Sequence, residues 1–228
     1  MEWIQDDGLR DWLSDQLDTA RNVVLISPFI TSGGLDIIRD RLQPRLKKGR
    51  KWTSLTIVTC LDPMSVVMKS LDIEELIKIH SLSEDGRRTV TVHDCPNLHA
   101  KVFLMDDVSA VVGSGNLTQS GTSGGNREVG VKTTNKADIL DLRNRIAPLI
   151  GSRQVSVPEL AHFKSIVEAN FAHVTKALEK VGCSGWGKLE VIPGEKDGYF
   201  KALRSILLTF RQPEFPAAGV VCPLIRDT

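Results

Sequence analysis

The sequence predicts an α/β layered domain followed by a mainly helical extension. Three observations carry this expectation. Short β-branched runs alternate with amphipathic helical stripes as far as Gly151, the alternation largely stops there, and the hydrophobic period beyond it is helical. The 228-residue chain is 41% hydrophobic, enough for an ordinary buried core, so disorder is excluded as its main state.

Leu9, Trp12, Leu13, Leu17 and Ala20 fall on one helical stripe, which hands over to the buried-strand run Asn22 to Ile26 ahead of Ser27-Pro28. Leu35, Ile38, Leu42 and Leu46 mark a second helix with Pro44 inside it as a kink or break, and Leu55 to Cys60 reads as the next strand. A helix around Glu74 to Ile79 precedes the alternating strand Thr89 to His93. Two more strands, His99 to Met105 and Ser109 to Val112, flank Asp106-Asp107, a pair suited to a tight hairpin turn. Gly113 to Gly130 holds six glycines in eighteen residues, too many for a regular element and suited to a loop whose backbone approaches a ligand. Strand character resumes from Glu128 to Thr133, and Ala137 to Ile150 reads as an amphipathic helix. In the extension, Pro158 to Val181 and Gly198 to Phe210 are expected helices, Lys188 to Ile192 an extra edge strand, and Gln212 to Thr228 an irregular tail. The expected division is a domain over residues 1–151 and a mainly helical extension over 152–228.

With 29 Lys+Arg against 28 Asp+Glu the net charge is +1, so no global positive field attracts polyanions and any such partner is met locally. No apolar window is long enough to span a membrane, and the opening Met1 to Asp7 is acidic where a signal peptide is basic; the chain reads as soluble, unexported and cytoplasmic. Cys60, Cys95, Cys183 and Cys222 lie apart with no C-x-x-C pair, which argues against structural zinc or a disulfide framework and for reduced thiols, Cys60 in the core. The basic run Arg39, Arg41, Arg45, Lys47, Lys48, Arg50 and Lys51, like Arg87 and Arg88, fits either a polyanion path or a solvated cationic surface. Trp3, Trp12, Trp52 and Trp186 fit base stacking less readily than packing.

One stretch stands apart. On a strand, His99 and Lys101 share a face, so an imidazole and an ammonium are aimed together. The following strand hands the chain to Gly113-Ser114-Gly115-Asn116, where glycines allow close backbone approach and the Ser and Asn side chains supply donors, beside a helix start expected near Leu117. If the two strands form a hairpin, their far ends bring His99 and Lys101 next to Ser114 and Asn116, a set suited to a tetrahedral phosphate.

His99-x-Lys101-x4-Asp106, then six residues, then Gly113-Ser114-x-Asn116 resembles the HKD signature of the phospholipase D superfamily at every defining position. Chance gives these six residues on the order of once in a hundred million starting positions at average composition. The resemblance extends over roughly residues 20–150. It implies a layered α/β/α domain with a mixed central sheet. It further implies His99 as the nucleophile on phosphorus, Lys101 and Asn116 as phosphate ligands, Ser114 as an additional donor and Glu128 as the carboxylate that orients the histidine. Asp106, in the turn, is expected in a structural or supporting role, as are Gly113 and Gly115. No metal and no cofactor are implied.

A phosphohistidine route needs a general acid for the leaving oxygen and a base for the incoming water. The other histidines, His80, His93, His162 and His173, lack the motif context. Single-motif members of the superfamily take the second imidazole from a twofold-related subunit, which implies a homodimer with a composite active site. The leading functional expectation is therefore a metal-independent phosphodiesterase, most simply a nuclease cleaving DNA or RNA. The alternatives are a phospholipase or phosphatidyl transferase of the same superfamily, and a noncatalytic nucleic-acid-binding or assembly subunit. The C-terminal extension is expected to meet substrate, the second subunit or a protein partner.

Overall fold

The computed structural model describes residues 1–5, 7–47, 53–83 and 88–180. Its elements in chain order are β1 (Glu2–Gln5), α1 (Gly8–Leu17), β2 (Asn22–Ile26), α2 (Ser32–Lys47), β3 (Ser54–Thr59), α3 (Pro63–Val67), α4 (Ile73–His80), β4 (Thr89–Asp94), β5 (Val102–Met105), β6 (Ser109–Gly113), α5 (Gln119–Thr122), β7 (Val129–Thr133), α6 (Lys136–Ile150), β8 (Arg153–Val155) and α7 (Val157–Lys180). The strands form one sheet in the order β1-β7-β6-β5-β2-β3-β4-β8. It is mixed, because β2, β3 and β4 run parallel while every other pairing is antiparallel.

Strand alternation sorts the apolar residues onto two faces. Val23, Leu25, Ile57, Phe103 and Val111 pack beneath α1, α2, α4 and α7, which contribute Leu13, Leu35, Leu76 and Leu160. Ile26, Val58, Val102, Leu104 and Ala110 face the other way, against Ile139 and Ile146 of α6. The result is the three-layer α/β/α arrangement. Pro44 lies inside α2 without ending it. Among the cations of the basic run, Arg39 pairs with Asp36 and with Glu75 at 2.6 Å, Arg41 with Asp18 at 3.2 Å, and buried Arg45 donates to the carbonyls of Leu17 and Ala20. Arg41 and Arg45 therefore tie α2 to the end of α1, and Arg39 ties it to α4. Trp12 is likewise a packing residue, its indole N–H donating to Ser109 Oγ at 3.2 Å, while Trp3 on β1 is exposed.

Three elements were not foreseen. β1 and β8 are four and three residues long, and α3 is five, too short to show a period. Pro63 at the first helical position and the Asp62 carboxylate accepting from Ser65 N–H start α3 locally. β8 pairs antiparallel with β4, and α7 seats Val167 and Phe171 against Val67, so the described residues that follow Gly151 are packed on the sheet domain. The expected strand Lys188 to Ile192, helix Gly198 to Phe210 and tail Gln212 to Thr228 lie outside the described residues, as do Lys48, Arg50, Lys51, Trp52, Arg87, Trp186, Cys183 and Cys222.

Two boundaries are corrected. β5 begins at Val102, not His99, because its neighbour β2 ends at Ile26, the partner of Val102, and turns away at Ser27-Pro28. The glycine-rich stretch is also not wholly irregular: α5 interrupts it, capped by Thr118 Oγ1 accepting from Gly121 N–H, so the helix starts after Thr118 and not at Leu117.

The β5–β6 hairpin forms as expected. Asp106 and Asp107 both take positive φ, 53° and 55°, and Val108 N–H donates to Met105 O at 3.0 Å, closing a turn whose twist suits paired strands. The Asp106 carboxylate also accepts from the backbone N–H groups of Arg21, at 2.9 and 3.0 Å, and of Asn22, at 2.7 Å, tying the turn to the start of β2. Asp106 thus sits at the opposite end of β5 from His99. Asp106→Ala should lower stability by about 1–2 kcal/mol in urea unfolding, from lost charge-assisted hydrogen bonds and a left-handed alanine, with Asp106→Asn falling less.

Candidate active site

The edge of the sheet where β2 and β6 end, and where β5 and β7 begin, collects the polar groups. Gly113 N–H donates to Lys101 O at 3.2 Å, so the hairpin contact continues one step past the regular β5 ladder. Lys101 is 8% exposed, and its Nζ donates to His99 O at 2.9 Å and lies 3.4 Å from His99 Nδ1. The imidazole itself is exposed. The ammonium and the imidazole therefore come together without the strand from which their pairing was argued.

Burial pushes the Lys101 ammonium below its ordinary value of 10.5, because the charged form loses water, and the nearby Glu128 carboxylate pulls it back up. A buried ammonium with part of its hydration removed is well placed to receive an anion. Its chain neighbours Ala100 and Val102 pack on the α6 side of the sheet, which holds the segment in place.

Glu128 lies just ahead of β7. It accepts from Ser114 Oγ and from Asn126 Nδ2, the latter at 3.2 Å. Ser114 is held twice more: its N–H donates to Val129 O at 2.9 Å, and its Oγ accepts from Val129 N–H at 3.1 Å. The partners of Glu128 in this structure are thus Ser114 and Asn126, and its charge acts on Lys101. Asn116 is half-buried, with its carboxamide oxygen 3.4 Å from Ser27 Oγ.

Ser27 is a site-supporting residue that reasoning from single motifs did not single out. It is fully buried at the exit of β2; its hydroxyl donates to Phe29 O at 2.7 Å and accepts from Leu117 N–H at 3.0 Å. Thr31 N–H also donates to Leu117 O at 3.1 Å, so the loops leaving β2 and β6 are stapled together beside Asn116. The available sequence signal was Ser-Pro directly after a buried strand.

Glycines set how closely these loops pack. A Cβ on Gly113 would lie 2.8 Å from Val129 O, one on Gly115 2.7 Å from Gly121 O, and one on Gly121 2.5 Å from Asn116 O. The turn of α5 therefore presses on the backbone of Asn116, and only hydrogen fits between them. Among the other described histidines, His93 is on β4 with its Nδ1 3.0 Å from Ser152 O, His80 ends α4 and His162 is exposed on α7. Among the described residues no group of three or more His, Cys, Asp or Glu side chains is arranged to hold a metal ion, and no helix is long and apolar enough to cross a membrane.

The arrangement pairs an exposed imidazole with a buried ammonium, next to a loop of backbone and hydroxyl donors. The family described as "Cardiolipin synthase, PLD-like domain" matches residues 35–149. Among solved structures, phosphatidylserine synthase of Haemophilus influenzae Rd KW20 superposes with a TM-score of 0.51 at 9% identity, covering 75% of this chain and 43% of that one. Nuc from Salmonella typhimurium, a phospholipase D family member, gives 0.49 at 16% identity over 68% of this chain and 97% of its own. NucT from Helicobacter pylori gives 0.47 at 16% identity over 66% and 98%. No curated protein matches the sequence.

The balance of charge at Lys101 is open to direct measurement. Followed by NMR through the side chain, Lys101 should titrate below 10.5, and Glu128→Gln should move it lower still, since the one opposing charge is removed. An unchanged or higher value in Glu128→Gln would show that the carboxylate does not act on the ammonium.

Proposed function

The chain belongs to the PLD-like domain family of the phospholipase D superfamily, and on that premise we propose that it is a metal-independent phosphodiesterase, a nuclease acting on DNA or RNA. The observation that carries this reading is the contact of Lys101 Nζ with His99, set against the Gly113-Ser114 turn and Glu128. The wording of the motif, Leu98-His99-Ala100-Lys101 and Gly113-Ser114-Gly115-Asn116-Leu117-Thr118, resembles nuclease branches more than lipid-hydrolysing ones, and the sequence carries a single copy.

In the proposed reaction a neutral nitrogen of His99 attacks phosphorus. As the P–N bond forms, negative charge builds on the nonbridging oxygens, where Lys101, Asn116 Nδ2 and Ser114 Oγ, its O–H turned from Glu128 to the phosphate, stabilise it. The bond to the leaving oxygen breaks, and a second imidazole donates the proton that this oxygen takes up. The same imidazole then accepts a proton from water, whose oxygen attacks phosphorus and expels His99 as the P–N bond breaks. Glu128 serves as the positioning carboxylate: it holds Ser114, tempers the charge of Lys101 and, as the family signature implies, orients His99.

The second imidazole is assigned to His99 of a twofold-related copy, so the working unit is a homodimer with one composite site. Exposure of His99 supports this, since a nucleophile already enclosed within one chain has no room for a facing ring. In this reading residues 1–151 carry the chemistry, and residues 152–228 contact substrate, the second copy or a protein partner.

A cleavage panel of single-stranded DNA, duplex DNA, RNA and phosphatidylglycerol vesicles tests the reading. Cleavage of nucleic acid should persist in excess EDTA, fall at least about a thousandfold in His99→Ala, and fall about a hundredfold in Lys101→Ala or Asn116→Ala. Turnover of the lipid alone would select the phosphatidyl-transfer alternative, and full function without the imidazole would select the binding role. Loss of activity on chelation would overturn the mechanism.

The dimer has its own signature. Light scattering should return twice the chain mass. In mixtures with His99→Ala chains, activity should track the square of the wild-type fraction, because each composite site needs two intact imidazoles. A linear dependence would mean that each chain acts alone.

A further inference from the structure

Cys60 follows β3 and Cys95 follows β4. The parallel register of these strands sets Thr59 opposite Asp94, so the two cysteines stand opposite one another one step beyond the ladder. The strands are still paired there, since Cys95 N–H donates to Thr59 O at 2.8 Å. Alternation turns both side chains to the α6 face, where they pack against the cluster of Ile26, Val58 and Leu98. Both are free thiols and both are half-buried. Opposed residues on neighbouring strands have Cα atoms about 4.8 Å apart, inside the range of roughly 4.4–6.8 Å that a disulfide spans.

The pair also sits against the segment that delivers His99. The backbone N–H groups of Asn97 and Leu98 lie near the Cys60 sulfur and favour its thiolate. Leu98 N–H in addition donates to Cys95 O at 3.2 Å, and Asn97 holds a positive φ of 61°. The Cys95 carbonyl thus closes the turn from Cys95 to Leu98, with the Cys60 sulfur beside it, and the next residue is His99. Neither thiol has a part in the phosphodiester chemistry.

We propose that Cys60 and Cys95 form a reversible dithiol–disulfide site, oxidised by exchange with a small-molecule disulfide, and that bridging them lowers activity by disturbing the turn that carries His99. In the first step the thiolate of one cysteine attacks the small disulfide, forming a mixed disulfide and releasing one thiol. In the second step the other cysteine, losing its proton, attacks the protein sulfur of that mixed disulfide and expels the second thiol. Two protein thiols are oxidised and one external disulfide is reduced to two thiols. Once the Cys60 sulfur is bonded to Cys95, the residue whose carbonyl closes this turn is drawn toward β3, and the turn held by left-handed Asn97 must shift. Lys101 Nζ is bonded to His99 O, so a shift of this turn changes the relation of ammonium to imidazole. Burial pushes both thiols above their ordinary value, and the Asp94 carboxylate adds to this in each, so the exchange is slow and answers sustained oxidising conditions rather than brief ones.

The regulatory half of this proposal rests on the phosphodiesterase reading, whereas the bridge does not, and the experiment separates them. The full chain is incubated with oxidised glutathione, blocked with an alkylating agent, digested without reduction and mapped by mass spectrometry, alongside the cleavage assay. The expected result is a linked peptide pair containing Cys60 and Cys95, absent in Cys95→Ser and in Cys60→Ser. Cleavage should fall about tenfold or more in the bridged wild type and return with dithiothreitol, and Cys95→Ser should keep reduced wild-type activity in either condition. Links running instead to Cys183 or Cys222, or glutathione adducts without a bridge, would overturn the site. A mapped bridge with undiminished cleavage would overturn the regulation. A mapped bridge on a chain that cleaves no phosphodiester would support the dithiol site while refuting the function from which its regulatory role derives.

Discussion

The register of the β5–β6 hairpin is the constraint on which the site depends. Val102 opposes Val112 and Met105 opposes Ser109, so the chain entering β5 and the chain leaving β6 come out side by side, with Gly113 N–H on Lys101 O. A slip of one residue would turn Val102 and Leu104 away from α6 and carry Lys101 away from the Gly113-Ser114 turn. Two features hold the register. The left-handed pair Asp106-Asp107 closes the turn, and the Asp106 carboxylate fastens it to the start of β2. Asp106 thus acts on the site from the far end of a four-residue strand, by fixing the register of the hairpin that delivers Lys101.

At the near end the regular pairing gives out, and specific contacts replace it. β2 turns away at Ser27, which leaves residues 98–101 without a strand neighbour on that side. Freed from the ladder, the loops after β2 and β6 meet each other instead, through the Ser27 hydroxyl, the Thr31 to Leu117 hydrogen bond and the close approach of Gly121 to Asn116. This gives a polar edge at which the backbone groups of Thr31, Gly113, Ser114 and Leu117 are bonded across the loops, which holds the segment around Asn116 in place.

Legibility in the sequence followed the range of the interaction. The residues of the motif, the hairpin turn and the longer helices were readable because each rests on local spacing, such as Leu9 to Leu17 on α1 or Asp106-Asp107 between two apolar runs. β1 was not, since Trp3 is exposed and only Ile4 packs inward, leaving no alternation to see. The start of β5 was misplaced because it is set by where β2 ends, a contact some seventy-six residues distant in sequence between Ile26 and Val102. The bonding of Glu128 to Ser114 depends on how the loop from 114 to 128 folds back, and the pairing of Cys60 with Cys95 on a parallel register that no spacing rule encodes.

Burial divides the two central groups of the proposed reaction, and the division fits their roles. Lys101 is enclosed, at the expense of part of its preference for the charged form, and gains from an approaching phosphate what it lost in hydration. His99 is left exposed on the same backbone segment, held by Lys101 Nζ through its carbonyl at 2.9 Å and more loosely at Nδ1 at 3.4 Å. In the proposed reaction one chain therefore supplies the nucleophile and the anion cradle, while its other described ring on the sheet, His93, is bonded to Ser152 O. The proposed displacement, which must protonate one oxygen and deprotonate another, calls for a second imidazole, and the exposure of His99 leaves room for one from a symmetry-related copy.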